Sequence, residues 1–176
     1  SKSKNVKYIY PSGPIPRGGI SGRVSEVLPK SKRKAFSAKG KKIPWNLKAV
    51  GADKVWSELK ITGRGAVVAM FDSGVNYRHA DLRDNIWINP GEEANNGKDD
   101  DGNGLVDDYY GFNFRTMQPE VIALGPRQHG TLTSGIVAGD GTGGTVTGLA
   151  PEAKLMPLIG WGGPYAAARV HEYALE

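Results

Sequence analysis

VVAMFDSGVN, residues 67–76, is the stretch on which the fold turns. Its apolar run ends at Phe71, and the chain then delivers one carboxylate, Asp72, into Ser73 and Gly74. A continuous apolar run of this length closed by a glycine reads as a buried strand, so Asp72 emerges at the strand's C-terminal lip. In open α/β sheets, ligands and reacting groups collect beyond the C-terminal strand ends. A carboxylate there can take part in chemistry or cap the turn by accepting backbone hydrogen bonds. Position alone leaves both open.

Working outward, ADKVWSEL (52–59) suggests a short helix, Gly63-Arg64-Gly65 a turn and AVVAMF (66–71) the buried strand. TLTSGIVAG (131–139) is a small-residue helix and KLMPLI (154–159) a second buried strand. PYAAARVHEYALE (164–176) is a helix opened by Pro164, whose fixed φ and missing N–H suit the first turn. Strands alternating with helices predict an α/β fold, a mostly parallel central sheet with helices on both faces. No internal repeat is present.

At 176 residues the chain can bury the core of one ordinary domain. The absence of cysteine excludes disulfides, Cys-ligated zinc and a thiol nucleophile. No apolar stretch approaches the roughly 18 residues of a membrane helix, so no membrane partner is expected. The start, SKSKNVKYIY, has neither Met nor a signal-peptide core, and the native N-terminus is expected to be missing. Charge is divided unevenly: residues 1–50 carry 13 Lys and Arg against one acid, Glu26, a balance of +12, whereas the rest carry 10 against 17, a balance of −7. The chain therefore divides into a basic linker, 1–42, and a folded body, 43–176. The run PKSKRKAFSAKGKK (29–42) has the charge to bind nucleic acid and resembles a localisation signal. It lacks interleaved aromatics apart from Phe36, and no nucleic-acid fold surrounds it, so no nucleic acid is expected.

QHGTLTSGIVAG, residues 128–139, supplies a second group. His129 precedes the small-residue helix and Gly130 permits close backbone approach, which places the imidazole at a helix N-terminus. There the helix dipole disfavours extra positive charge and helps keep the ring a neutral base. Paired with a carboxylate at a strand lip, it is a candidate general base whose tautomer the acid holds. His79 and His171 lack such settings and read as surface or structural.

These segments carry a resemblance to the subtilisin-like serine proteases, the subtilases or peptidase S8 family. VVAMFDSGVNYRHADL (67–82) is similar to the family's aspartate motif, QHGTLTSGIVAG to its histidine motif and GLAPEAKLMPLI (148–159) to the segment that follows. IPWNLKAVGADKVW (43–56) looks like the start of the catalytic domain. The resemblance implies a subtilisin-like fold, a secreted serine-type endopeptidase acting on polypeptides, and roles for Asp72 and His129 as triad aspartate and histidine. The family carries its serine in a downstream Gly-Thr-Ser-x-Ala turn and an asparagine in its oxyanion hole, and neither occurs here. The chain is thus expected to be the N-terminal part of the catalytic domain, incomplete at the C-terminus and inactive alone. Ser73 and Ser134 lack that turn and read as structural. Asn76, where the family often has Asp, and Leu132, where a second His is common, depart from the pattern without touching Asp72 or His129. Residues 1–42 are expected to be a basic linker that joins a propeptide to the enzyme, or the end of the propeptide itself, exposed basic residues being open to processing. The alternatives are a subtilase-like pseudoenzyme and a calcium-binding interaction module.

The loop at 91–108 points to a cation. Asp99, Asp101, Asn103, Gly104 and Asp107 fit D-x-D-x-N-G-x-x-D, in which alternating oxygens wrap one hard ion and Gly104 permits the sharp turn. The expected Ca2+ ligands are Asp99, Asp101, Asn103, Asp107 and the Leu105 carbonyl, with Asp108 either a further ligand or exposed. Tyr110 stands where a full EF-hand would have Glu, so this is an EF-like loop inside another fold. Asp81 resembles a ligand at another calcium site of the family.

Overall fold

The computed structural model describes residues 6–8, 35–123, 128–161 and 163–175. Four strands form one parallel sheet in the order β1-β2-β4-β3, with β1 at Val6–Tyr8, β2 at Val67–Phe71, β3 at Phe112–Asn113 and β4 at Lys154–Ile159. The central pair runs in register from Val67 beside Lys154 to Phe71 beside Leu158. Parallel neighbours need long crossovers. Between β2 and β4 that crossover includes α3, His129–Ala138.

Side chains alternate across this pair, as a pleated strand requires. Val68, Met70 and Leu155 join one core cluster with Val137 and Ala138 of α3. Ala69, Met156 and Leu158 join a second with Val170 and Tyr173 of α4, Pro164–Tyr173. Helices cover both faces, which is why β2 is apolar without a polar alternation. Pro164 sits in the first turn of α4, as its chemistry predicts.

The segment 52–59 splits into a short α-helix, α2 at Ala52–Lys54, and a π-helical turn at Val55–Leu59, preceded by α1 at Trp45–Ala49. Trp56 is buried there and donates its Nε1–H to the Leu149 carbonyl at 3.0 Å. Most of the basic linker lies outside the described residues. Its described parts engage the body: Val6–Tyr8 pairs along β2, the Phe36 ring meets Trp56 edge-on at 5.4 Å, and Lys42 bonds Gly144 and Val146 through its backbone. Glu152, buried, accepts hydrogen bonds from Phe36 N (3.0 Å), Arg64 Nη2 (2.5 Å) and Thr62 Oγ1.

Candidate active site

Asp72 stands one residue past β2, its N–H bonded to the Leu158 carbonyl at 3.0 Å. The side chain is 4 % exposed, and a buried carboxylate must be satisfied by donors. Ser73 N donates to Oδ1 at 2.6 Å, and His129 Nδ1 lies 2.9 Å from Oδ1 and 2.8 Å from Oδ2. Thr133 Oγ1 is 3.2 Å from Oδ2.

His129 opens α3, with Gln128 as the N-cap and no side-chain capping bond. Two contacts fix the helix start against the Asp72 turn: Gly130 N donates to Ser73 Oγ at 3.1 Å and Asn76 N donates to Thr131 Oγ1 at 2.8 Å. The approach is backbone on backbone, since a Cβ on Gly130 would lie 2.2 Å from the Gly74 carbonyl oxygen. The imidazole itself is 54 % exposed. An ionised carboxylate only accepts, so Nδ1 carries a proton, and in the neutral ring Nε2 then keeps its lone pair. Such a ring can take a proton from a hydroxyl brought to Nε2, while the carboxylate stabilises the imidazolium that results.

The other candidates separate by their bonding. Ser73 Oγ serves Gly130, and Ser134 is wholly buried in α3. His79 Nδ1 accepts from Asp81 N at 3.2 Å, and His171 Nδ1 meets the Ala167 carbonyl at 2.6 Å within α4. Trp161 stacks on Phe71 at 4.9 Å, beside the residue that leads into Asp72.

The acidic loop is organised differently from its sequence spacing. Asp99 Oδ1 accepts from Gly102 N and Asn103 N, and Oδ2 from Gly104 N. Asp101 Oδ2 accepts from Asn89 Nδ2 at 2.8 Å and Asn103 Nδ2 at 3.2 Å. Asp99 and Asp101 gather with Glu92, their ligand oxygens all within 4.8 Å of one another. Asp107 stands apart from that group: its carboxylate clamps Asn96 N at 2.9 Å and Gly97 N at 3.0 Å. Asn103 Oδ1 is taken by Leu105 N at 2.8 Å, and the Leu105 side chain is buried. Asp108 is fully buried between the amides of Asn89 and Asn103, and burial raises its pKa.

Glu92 is the member that spacing does not reveal. It is 7 % exposed, Oε1 accepts from Asp100 N and Asp101 N, and Oε2 is buried with no partner among the described residues. Burial, offset in part by those two N–H donors, pushes its pKa up. Asp81 is held elsewhere, accepting from Gly143 N at 2.5 Å.

Comparison with known proteins follows the same segments. The Subtilase family (peptidase S8) profile matches residues 63–170. Subtilisin-like protease 1 of Plasmodium vivax is 34 % identical over 125 residues, 69 % of this chain and 19 % of the relative. Minor extracellular protease Vpr of Bacillus subtilis is 28 % identical over 162 residues, covering 91 % of this chain and 17 % of the relative. The major intracellular serine protease of the same organism is 28 % identical over 123 residues, 69 % of this chain and 31 % of the relative. The chain thus spans about a fifth of the length of the Plasmodium relative. With β2, β3 and β4 of the parallel sheet, an acid at the β2 lip and a histidine opening α3 all inside the matched span, this chain belongs to the subtilase family.

Proposed function

We propose that this chain is the part of a serine endopeptidase that carries the acid and the base of its triad, Asp72 and His129, and that the parent protein cleaves polypeptides outside the cell. The observation that carries the reading is the 2.8 Å contact between His129 Nδ1 and Asp72 Oδ2 at the sheet's C-terminal edge, in a chain of the subtilase family. Asp72 orients the ring and offsets the charge it gains, and His129 Nε2 removes the proton of a serine hydroxyl. Ser73 Oγ is bonded to Gly130 N, Ser134 is buried, and no serine in the sequence stands in a Gly-Thr-Ser-x-Ala turn, so these 176 residues by themselves are expected not to hydrolyse peptides. The extracellular setting is supported by the likeness to Vpr, named as an extracellular protease. Among the described residues no helix is long and apolar enough to cross a membrane. The basic run 29–42 fits a processed junction with a propeptide.

A calcium ion in the 91–108 loop completes the proposal. The donor set suits a hard cation: three carboxylates converge, and Glu92 Oε2 is a buried oxygen lacking a donor. Glu92, Asp99 and Asp101 would hold the ion, which neutralises their mutual repulsion when bound.

The test of the catalytic reading uses the protein with its complete catalytic unit and a peptide substrate. Asp72→Asn is expected to lower kcat about 10⁴-fold, the size of that change in a serine protease triad. A near-normal rate in that variant shows the role to be misassigned.

A further inference from the structure

Asp72 has a neighbour whose role neither motif suggests. Thr133 lies four residues after His129 on α3, so the two share a helix face. Its Oγ1 stands 3.1 Å from the His129 carbonyl oxygen, 3.2 Å from that of Gly130 and 3.2 Å from Asp72 Oδ2. A hydroxyl has one proton for these three acceptors. The ordinary choice for a helical threonine is a carbonyl one turn back.

Two observations favour the carboxylate instead. The helix carbonyls are neutral acceptors, whereas a bond to an ionised acceptor is roughly twice as strong. Asp72 is also short of donors. Its two oxygens offer about four lone-pair sites in a nearly dry setting. Among the described residues its other hydrogen-bond donors are Ser73 N and His129 Nδ1. Ser73 N anchors Oδ1, and apart from the His129 ring that the carboxylate must orient, Oδ2 has Thr133 Oγ1 as its donor among the described residues, a second anchor against rotation about the Cβ–Cγ bond.

We infer that Thr133 donates to Asp72 Oδ2 and is a positioning residue of the dyad, fixing the carboxylate so that it faces His129 Nδ1. Thr133 acts through Asp72 alone. The inference rests on the reading of Asp72 and His129 as a working pair.

The experiment observes the full chain labelled with ¹⁵N-histidine, with the His129 signals assigned through His129→Gln. Wild type is expected to show the Nδ1–H tautomer with a hydrogen-bonded, slowly exchanging proton. Thr133→Val keeps the shape and removes the donor, and the Nδ1 proton is expected to exchange roughly tenfold faster, the order of effect of losing one hydrogen bond to a charged group. Thr133→Ser is expected to restore the wild-type rate. Wild-type exchange in Thr133→Val overturns the inference and leaves the dyad standing. Absence of the bonded proton in wild type overturns both. Should Thr133→Val fail to fold, Thr133→Ala takes its place against Thr133→Ser, and equal rates in those two overturn the inference.

Discussion

Gly130 packs on the backbone of Gly74 so closely that a methyl group would sit 2.2 Å from the Gly74 oxygen and 3.1 Å from Asp72 Cβ. That contact sets the distance between the helix start and the strand lip, and so between His129 and Asp72. Gly130→Ala is expected to push the first turn of α3 outward and destabilise the chain by about 1–3 kcal/mol, the usual range for overpacking. Urea denaturation measures the loss, and the His129 Nδ1 proton signal reports separation of the pair. Unchanged stability and signal would show that the turn yields easily.

Calcium is expected to raise the melting temperature. At 100 times Kd, binding contributes about 2.7 kcal/mol, or roughly 5–10 °C for a chain of this size. Glu92→Gln should remove most of that increment. Asp107→Asn should lower the melting temperature equally with calcium and with chelator, because its carboxylate clamps Asn96 and Gly97 N–H groups. A melting curve indifferent to calcium removes the site. A calcium increment lost in Asp107→Asn but kept in Glu92→Gln restores the ligand set that spacing suggests.

Tyr77 predicts an alkaline weakness. Its ring is buried and stacks on Tyr110 at 4.7 Å, and burial, helped by the Glu120 charge, pushes the phenol pKa up from 10.0 to about 12. The folded state binds this proton more tightly than the unfolded one, so stability present below pH 10 is lost as pH rises through about 12. The loss is on the order of 2–3 kcal/mol. Tyr77→Phe keeps the stack and should flatten the decline between pH 10 and 12. Equal decline in both proteins, followed by denaturant titration at each pH, assigns the effect to other groups. Tyr173, raised by burial and the Asp108 charge, acts in the same direction.

Glu152 ties Phe36, upstream of Lys39, Lys41 and Lys42, to the body. Removing its carboxylate takes away the acceptor shared by the Phe36 N–H, the Thr62 hydroxyl and a guanidinium N–H of the exposed Arg64. Glu152→Ala is expected to cost about 1–3 kcal/mol and to speed tryptic cleavage at Lys39, Lys41 and Lys42. Cleavage there at the wild-type rate would show that Phe36 on Trp56 and the Lys42 backbone bonds suffice.

Much of this was legible in local pattern. The apolar runs of β2 and β4, Pro164 at the start of α4 and the small residues of α3 each express a preference encoded over a few neighbouring positions. The segments around Asp72 and His129 could likewise be picked out, because strand lips and helix starts are local features. What tertiary structure decided involves partners far apart in the chain. Strand β3 is only two residues long and exists because β4 offers it an edge. Which carboxylates of the acidic loop converge depends on how the Asn89–Gly91 turn folds back, and that brings in Glu92 while Asp107 serves a turn. The Thr133 hydroxyl can choose Asp72 only once α3 is docked on the β2 lip. Short-range sterics and hydrophobic periodicity act along the chain and can be read there, whereas hydrogen-bond assignment waits on the packing that brings donors and acceptors together.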